Sequence, residues 1–205
     1  MWSNFRKLFA LKPVFYNTLI LCSIWATSTF TFYFVEFYTK FVPTTNIYLL
    51  QVVIGSADLI SSFVYYFCLS LMKSYKNVLV VTFVLMTLAS LSLYLSVALT
   101  GYADFELGVT EISLQLSLIF SGLVFLLRCS ATIAFAMSYY LNVALTPPEL
   151  NASVFALTNI TTRTLLTFTP LVADTVSNPS IIVVVMAIIT LSSSFFINEN
   201  TRLLT

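Results

Sequence analysis

The chain has little charge and little glycine, and it has no histidine at all. Only 8% of its 205 residues are Asp, Glu, Lys or Arg, against about a quarter in soluble domains. Its 59% hydrophobic content and mean hydropathy of +0.97 place it among integral membrane proteins. Without histidine or a C-x-x-C pair, the three cysteines, Cys22, Cys68 and Cys129, argue against a zinc or haem site, and no cofactor is expected. The nine basic residues form no patch, which argues against nucleic acid. The four glycines include no G-x-x-x-G, so close helix contacts must come from Ser, Thr and Ala.

What is present is a series of apolar runs, each of about 20 to 25 residues, the length of a helix across a hydrocarbon core of about 30 Å. They lack the alternate-residue polarity of an outer-membrane strand. The expected fold is all-α, with six transmembrane helices at about 14–38, 47–71, 77–100, 117–141, 150–173 and 179–197. The basic segment 1–13 could lie along the interface, 14–198 forms the membrane domain, and 199–205 is a short tail. The first run is as long as a full span and no small-residue cleavage site follows it, so it does not read as a signal peptide.

Six spans put both termini on one side. Arg6, Lys7, Lys12, Lys73, Lys76 and Arg202 share that side, with Lys40 opposite, as the positive-inside rule requires. The other side holds Asp104, Glu106, Glu111 and Asp174. Glu36 and Lys40 read as an interfacial i,i+4 pair. Tyr65-Tyr66 and Tyr139-Tyr140, near span ends, read as interface anchors or as the lining of a pathway.

Three charges fall inside spans: Asp58 in the second, Arg128 in the fourth and Arg163 in the fifth. A central Arg costs about 2.5 to 3.5 kcal/mol on insertion scales, so each needs a partner, a wet cavity or a role. Two readings remain open. In one, Arg163 and Arg128 meet an anionic substrate and Asp58 tunes them or takes up a proton. In the other, the three form an ion pair or triad that locks spans two, four and five. An enzyme is not expected, because no nucleophile or paired-carboxylate constellation is present.

Several motifs carry a family resemblance. Asn46-Ile47-Tyr48-Leu49 with Gly55 and Asp58 is similar to N-x-Y-L…G-x-x-E-x-P, and Leu145 and Pro147 fall on the L and P of E-L-Y-P-T-x-x-R-N. Pro170 follows Arg163 at the family spacing, and Ile197-Asn198-Glu199 looks like L-P-E-T. The chain thus resembles the carboxy-terminal six helices of a major facilitator superfamily transporter, of the organic cation and anion transporter type. That resemblance implies a half-transporter bundle, with Asp58, Arg128 and Arg163 at substrate-site positions and Arg163 matching the anion carriers.

The departures lie in the moving parts. Ala144 and Asn151-Ala152 replace the charged gate residues, only Lys73 and Lys76 survive from D-R-x-G-R-R, and Leu165-Leu166 replace paired glycines. With one half and no gate, the chain reads as a complete small subunit. It is expected to be a non-enzymatic accessory subunit of a larger membrane complex, with the mitochondrial inner membrane favoured. The alternative is a functional half of an organic-ion carrier that pairs with a second six-helix half. Expected partners are the bilayer, other membrane chains and bound phospholipid.

Overall fold

The computed structural model describes residues 11–39, 42, 46–72, 74–100, 114–176 and 178–197. Most of the basic segment 1–13, Lys40, Lys73, the acidic loop at 101–112 and the tail from Asn198 onward lie outside the described residues. The helices are α1 (Lys12–Tyr38), α2 (Ile47–Met72), α3 (Tyr75–Thr100), α4 (Leu114–Leu145), α5 (Pro148–Thr167), α6 (Thr169–Thr175) and α7 (Ser180–Ser194). No strand occurs among the described residues. The four helices α1 to α4 are long and apolar enough to cross a membrane, and the chain is an integral membrane protein of all-α class.

The helix ends follow local chemistry. Pro13 stands in the first turn of α1 and Pro148 in that of α5, where a missing amide proton costs nothing. Asn46 caps α2, its Oδ1 accepting from the amides of Tyr48 at 2.9 Å and Leu49 at 3.4 Å. This gives Asn46 a local role independent of any family motif. At the end of α7, Lys76 Nζ donates to the carbonyl of Phe195 at 2.6 Å, placing a cation on a helix C-terminus.

The fourth apolar run forms one continuous helix of 32 residues, longer at both ends than the expected 117–141. The fifth does the reverse. Its helix stops at Thr167, and Phe168 turns the chain, its amide bonding back to Leu165 O at 3.0 Å, before the short α6 begins. Pro170 accounts for the break, since it cannot donate to the carbonyl of Leu166 and its ring crowds that oxygen. The last helix has 15 residues, about 22 Å of rise.

Helices α1 and α4 form the centre. α1 packs on α4, α5, α6 and α7, and α4 on α1, α2, α3 and α5. α3 and α7 pack together on one side, while α2 touches α4 and α3, and α5 touches α1, α4 and α6. Thus α2 and α5 stand at opposite edges of the layer α2–α4–α1–α5. The core side chains include Trp25, Phe34, Phe83, Phe120, Leu21 and Leu127.

With few glycines, hydroxyls make the close contacts. Thr27 and Thr190 join α1 to α7 at 2.7 Å, and Ser28 and Ser138 join α1 to α4 at 3.3 Å. Other hydroxyls return to their own helix, as Thr18 does to Val14 O and Thr82 to Val78 O, which keeps them satisfied away from water.

Candidate ion cluster

Arg128 lies near the midpoint of α4 and is 2% exposed. A guanidinium so buried must spend its donors inside the protein. Nε and Nη2 each lie 2.8 Å from Asp58, on Oδ1 and Oδ2 respectively, a bidentate pair between α4 and α2. Nη2 also donates to Glu36 Oε1 at 3.1 Å, and Nη1 to the carbonyl of Phe32 at 2.6 Å. Four of its five N–H donors are thereby engaged.

The same arginine stacks on α1. Its central carbon stands 3.4 Å from the ring centroid of Phe32, so a single residue supplies both a carbonyl and an aromatic face. Phe32 is stacked on Phe135 at 5.8 Å, and Phe135 meets Tyr139 and Trp25 edge-on. Trp25 in turn contacts Tyr139 at 4.5 Å and Phe155 of α5 at 5.6 Å. An aromatic row thus runs from the guanidinium across α1 and α4 to α5, and Tyr139 belongs to it.

Asp58 is held on its other flank by Thr132 Oγ1, 2.7 Å from Oδ1. Ser61 and Ser62 both donate to its backbone carbonyl. The Asp58 and Glu36 side chains remain 36% and 49% exposed, on the surface of this single chain. Two carboxylates on one guanidinium leave the cluster with a formal charge of −1.

Of the three sequence candidates, Asp58 and Arg128 therefore meet directly. Arg163 does not join them. It is exposed on α5, and no hydrogen bond or ion pair reaches its guanidinium among the described residues. Glu36 is the member that sequence reasoning assigned elsewhere. It turns to Arg128, while its expected partner Lys40 lies outside the described residues.

A separate groove of about 430 Å³ opens between α2, α3 and α4 beside Cys129 and is lined by Ile60, Val64, Leu88, Leu126 and Ile133. Among the described residues, no three His, Cys, Asp or Glu side chains converge as metal ligands. No protein-family model matches the chain, and no curated protein sequence matches it.

Proposed function

We propose that this chain is a non-enzymatic membrane subunit that works by associating with other membrane chains, and that it derives from one half of a major facilitator superfamily transporter. On this reading α5 with α6, and α7, complete six crossings, and both termini share the side of Lys12 and Lys76.

The observation that carries the reading is the occupation of Arg128. A substrate-binding arginine keeps donors for its ligand, whereas this one gives four to Asp58, Glu36 and Phe32. The cluster therefore acts as an internal clamp between α1, α2 and α4. The lost gate charges at Ala144 and Asn151-Ala152 point the same way. Arg163 supplies the need for company, because a guanidinium exposed on α5 with no partner among the described residues is costly in lipid and is relieved by a neighbouring chain.

Reconstitution in liposomes tests this. The expected result is no saturable flux of organic anions or cations above that of empty vesicles. Flux that disappears in Arg163→Ala would sink the reading.

The partial exposure of Asp58 and Glu36 favours a second reading, a carrier half whose solute meets these carboxylates from outside the clamp. That reading requires flux sensitive to Glu36→Gln.

A further inference from the structure

We infer that the groove between α2, α3 and α4 is a lipid site, which takes one acyl chain of a bilayer phospholipid whose head lies in the leaflet opposite Lys76. The inference needs only the membrane placement of these three helices and does not depend on the subunit role proposed above.

The clamp opens the groove. Only two residues separate α2 from α3, and the amide of Ser74 turns back to Met72 O at 2.6 Å, so the two helices are close at that end. Farther along, Asp58 holds α2 to Arg128 of α4, while α3 packs on α4 and α7. The space left between α2 and α3 has α4 as its floor. There Cys129 follows Arg128, and its thiol donates to Ala57 O, beside Asp58, at 3.5 Å.

The walls call for an apolar occupant. Ile60 and Val64 of α2, Leu85 and Leu88 of α3, and Leu126 and Ile133 of α4 supply the surface. The hydroxyls of Thr82 and Ser130 donate to Val78 O and Leu127 O of their own helices, so neither reaches for a ligand. Among the described residues, the buried side-chain polar atoms left without a partner belong to Trp25, Thr29, Asn142, Thr162 and Thr169, none of which lines the groove. An apolar space of this kind does not hold water. Its mouth is continuous with the lipid-facing surface of the spans, where Leu59, Phe63 and Leu91 stand exposed, so hydrocarbon is what reaches it.

Shape selects a chain over a helix. The groove runs from Thr82 to Ser92 along α3 and from Leu123 to Ile133 along α4, in each case about 15 Å of helix. A partner helix about 10 Å across would fill roughly 1,200 Å³ over that length. The groove offers about 430 Å³, room for a flexible tail. Its direction follows from the turn. The close approach of α2 to α3 stands at the Lys76 end, whereas Ser92 lies toward the far end of α3 and Leu123 toward the start of α4, on the opposite side. The tail therefore enters past Ser92 and Leu123 and runs toward Thr82 and Ile133.

The test uses the full chain in nanodiscs of phosphatidylcholine, doped with the same lipid carrying a diazirine at the middle or at the end of one acyl chain. Adducts are mapped by mass spectrometry after irradiation. Mid-chain probes are expected on Ser92 and Leu123, and terminal probes on Thr82, Cys129 and Ile133. Leu59 and Phe63, exposed on α2 beside Ile60 and Val64, should be labelled at least about fivefold less. Ser92→Trp, at an exposed position, narrows the entrance and should lower the terminal adducts on Cys129 and Ile133 by at least about fivefold. Leu88→Trp, also exposed, should do the same, and circular dichroism checks that each variant keeps its helices.

Adducts spread evenly over Leu59, Phe63 and the groove overturn the inference, as do terminal adducts that neither tryptophan diminishes. The reverse order, with mid-chain probes on Ile133 and terminal ones on Ser92, overturns the direction of entry. A photoreactive sterol that labels Cys129 and Ile133 where the phospholipid does not would give the groove to a rigid ring system and overturn the acyl chain.

Discussion

Arg128 and Asp58, 70 residues apart, face each other through two bonds of 2.8 Å, and each end of that contact is fixed from a different helix. Phe32 and Glu36 of α1 fix the guanidinium, while Thr132 of α4 fixes the carboxylate. Removing Arg128 leaves both carboxylates without the cation they share, whereas removing Asp58 leaves Glu36 still on the guanidinium.

Arg128→Leu is therefore expected to destabilise the chain by about 3 kcal/mol or more, because two carboxylates lose the cation they share. Asp58→Asn should cost less, since an amide still offers an oxygen to Nε and Glu36 still balances the charge. The double variant Arg128→Met with Asp58→Leu should recover part of the loss. Unfolding in mixed micelles, followed by tryptophan fluorescence, orders the three variants. Equal losses for Arg128→Leu and Asp58→Asn would contradict the clamp.

Phe32→Leu separates the ring from the carbonyl, because the backbone acceptor of Arg128 Nη1 stays. The expected cost is about 1 kcal/mol from the cation–π contact, besides the lost packing on Phe135. A double-mutant cycle with Arg128→Met in the same micelles isolates the coupling, and a coupling near zero would show that the ring only fills space.

Arg163→Leu should behave in the opposite way from Arg128→Leu. As the Arg163 guanidinium has no partner among the described residues, the isolated monomer in detergent should keep its stability to within about 0.5 kcal/mol. A large loss in the monomer would mean that Arg163 is bound within its own chain.

Thr27→Val and Thr190→Val together test the contact that stands in for glycine packing between α1 and α7. Buried hydroxyl pairs across membrane helices couple by about 0.6 kcal/mol, and the 2.7 Å distance predicts a value at or above that figure. The same unfolding measurement in the four-member cycle reads it.

Lys76→Met removes the cation from the last turn of α7 and should cost about 0.5 kcal/mol. Hydrogen exchange is the direct probe: amides at the C-terminal end of α7 should exchange faster, with those near Ser180 unchanged.

How far the letters led can be read from particular residues. The helix α2 occupies Ile47–Met72, close to the 47–71 of its apolar run, because length is a local signal; Asn46 stood out only as part of a family motif, and its capping role came with the structure. Asp58 and Arg128 stood out because a charge within an apolar run is costly wherever the helices pack. Glu36 was harder to assign. Its neighbour in sequence is Lys40, and nothing along the chain tells that α1 turns this carboxylate toward α4. The Phe32 carbonyl is invisible to any motif, since every residue carries one. Arg163 was conspicuous for the same reason as Arg128, yet its separation from the pair depends on α5 packing against α1 at the edge away from α2, a tertiary outcome. The break at Phe168 was missed, the span being expected unbroken over 150–173; Pro170, two residues on, whose missing donor disrupts the run, had been read only as a family match.

The clamp also has a consequence for biogenesis. A ribosome makes α1 and α2 before α4, so Glu36, the Phe32 carbonyl and Asp58 are already in the bilayer when Arg128 emerges. The arginine enters a reception site prepared upstream and need never face hydrocarbon bare. Its late arrival closes the first two helices around the fourth, so one guanidinium gives the order of synthesis a direction in space.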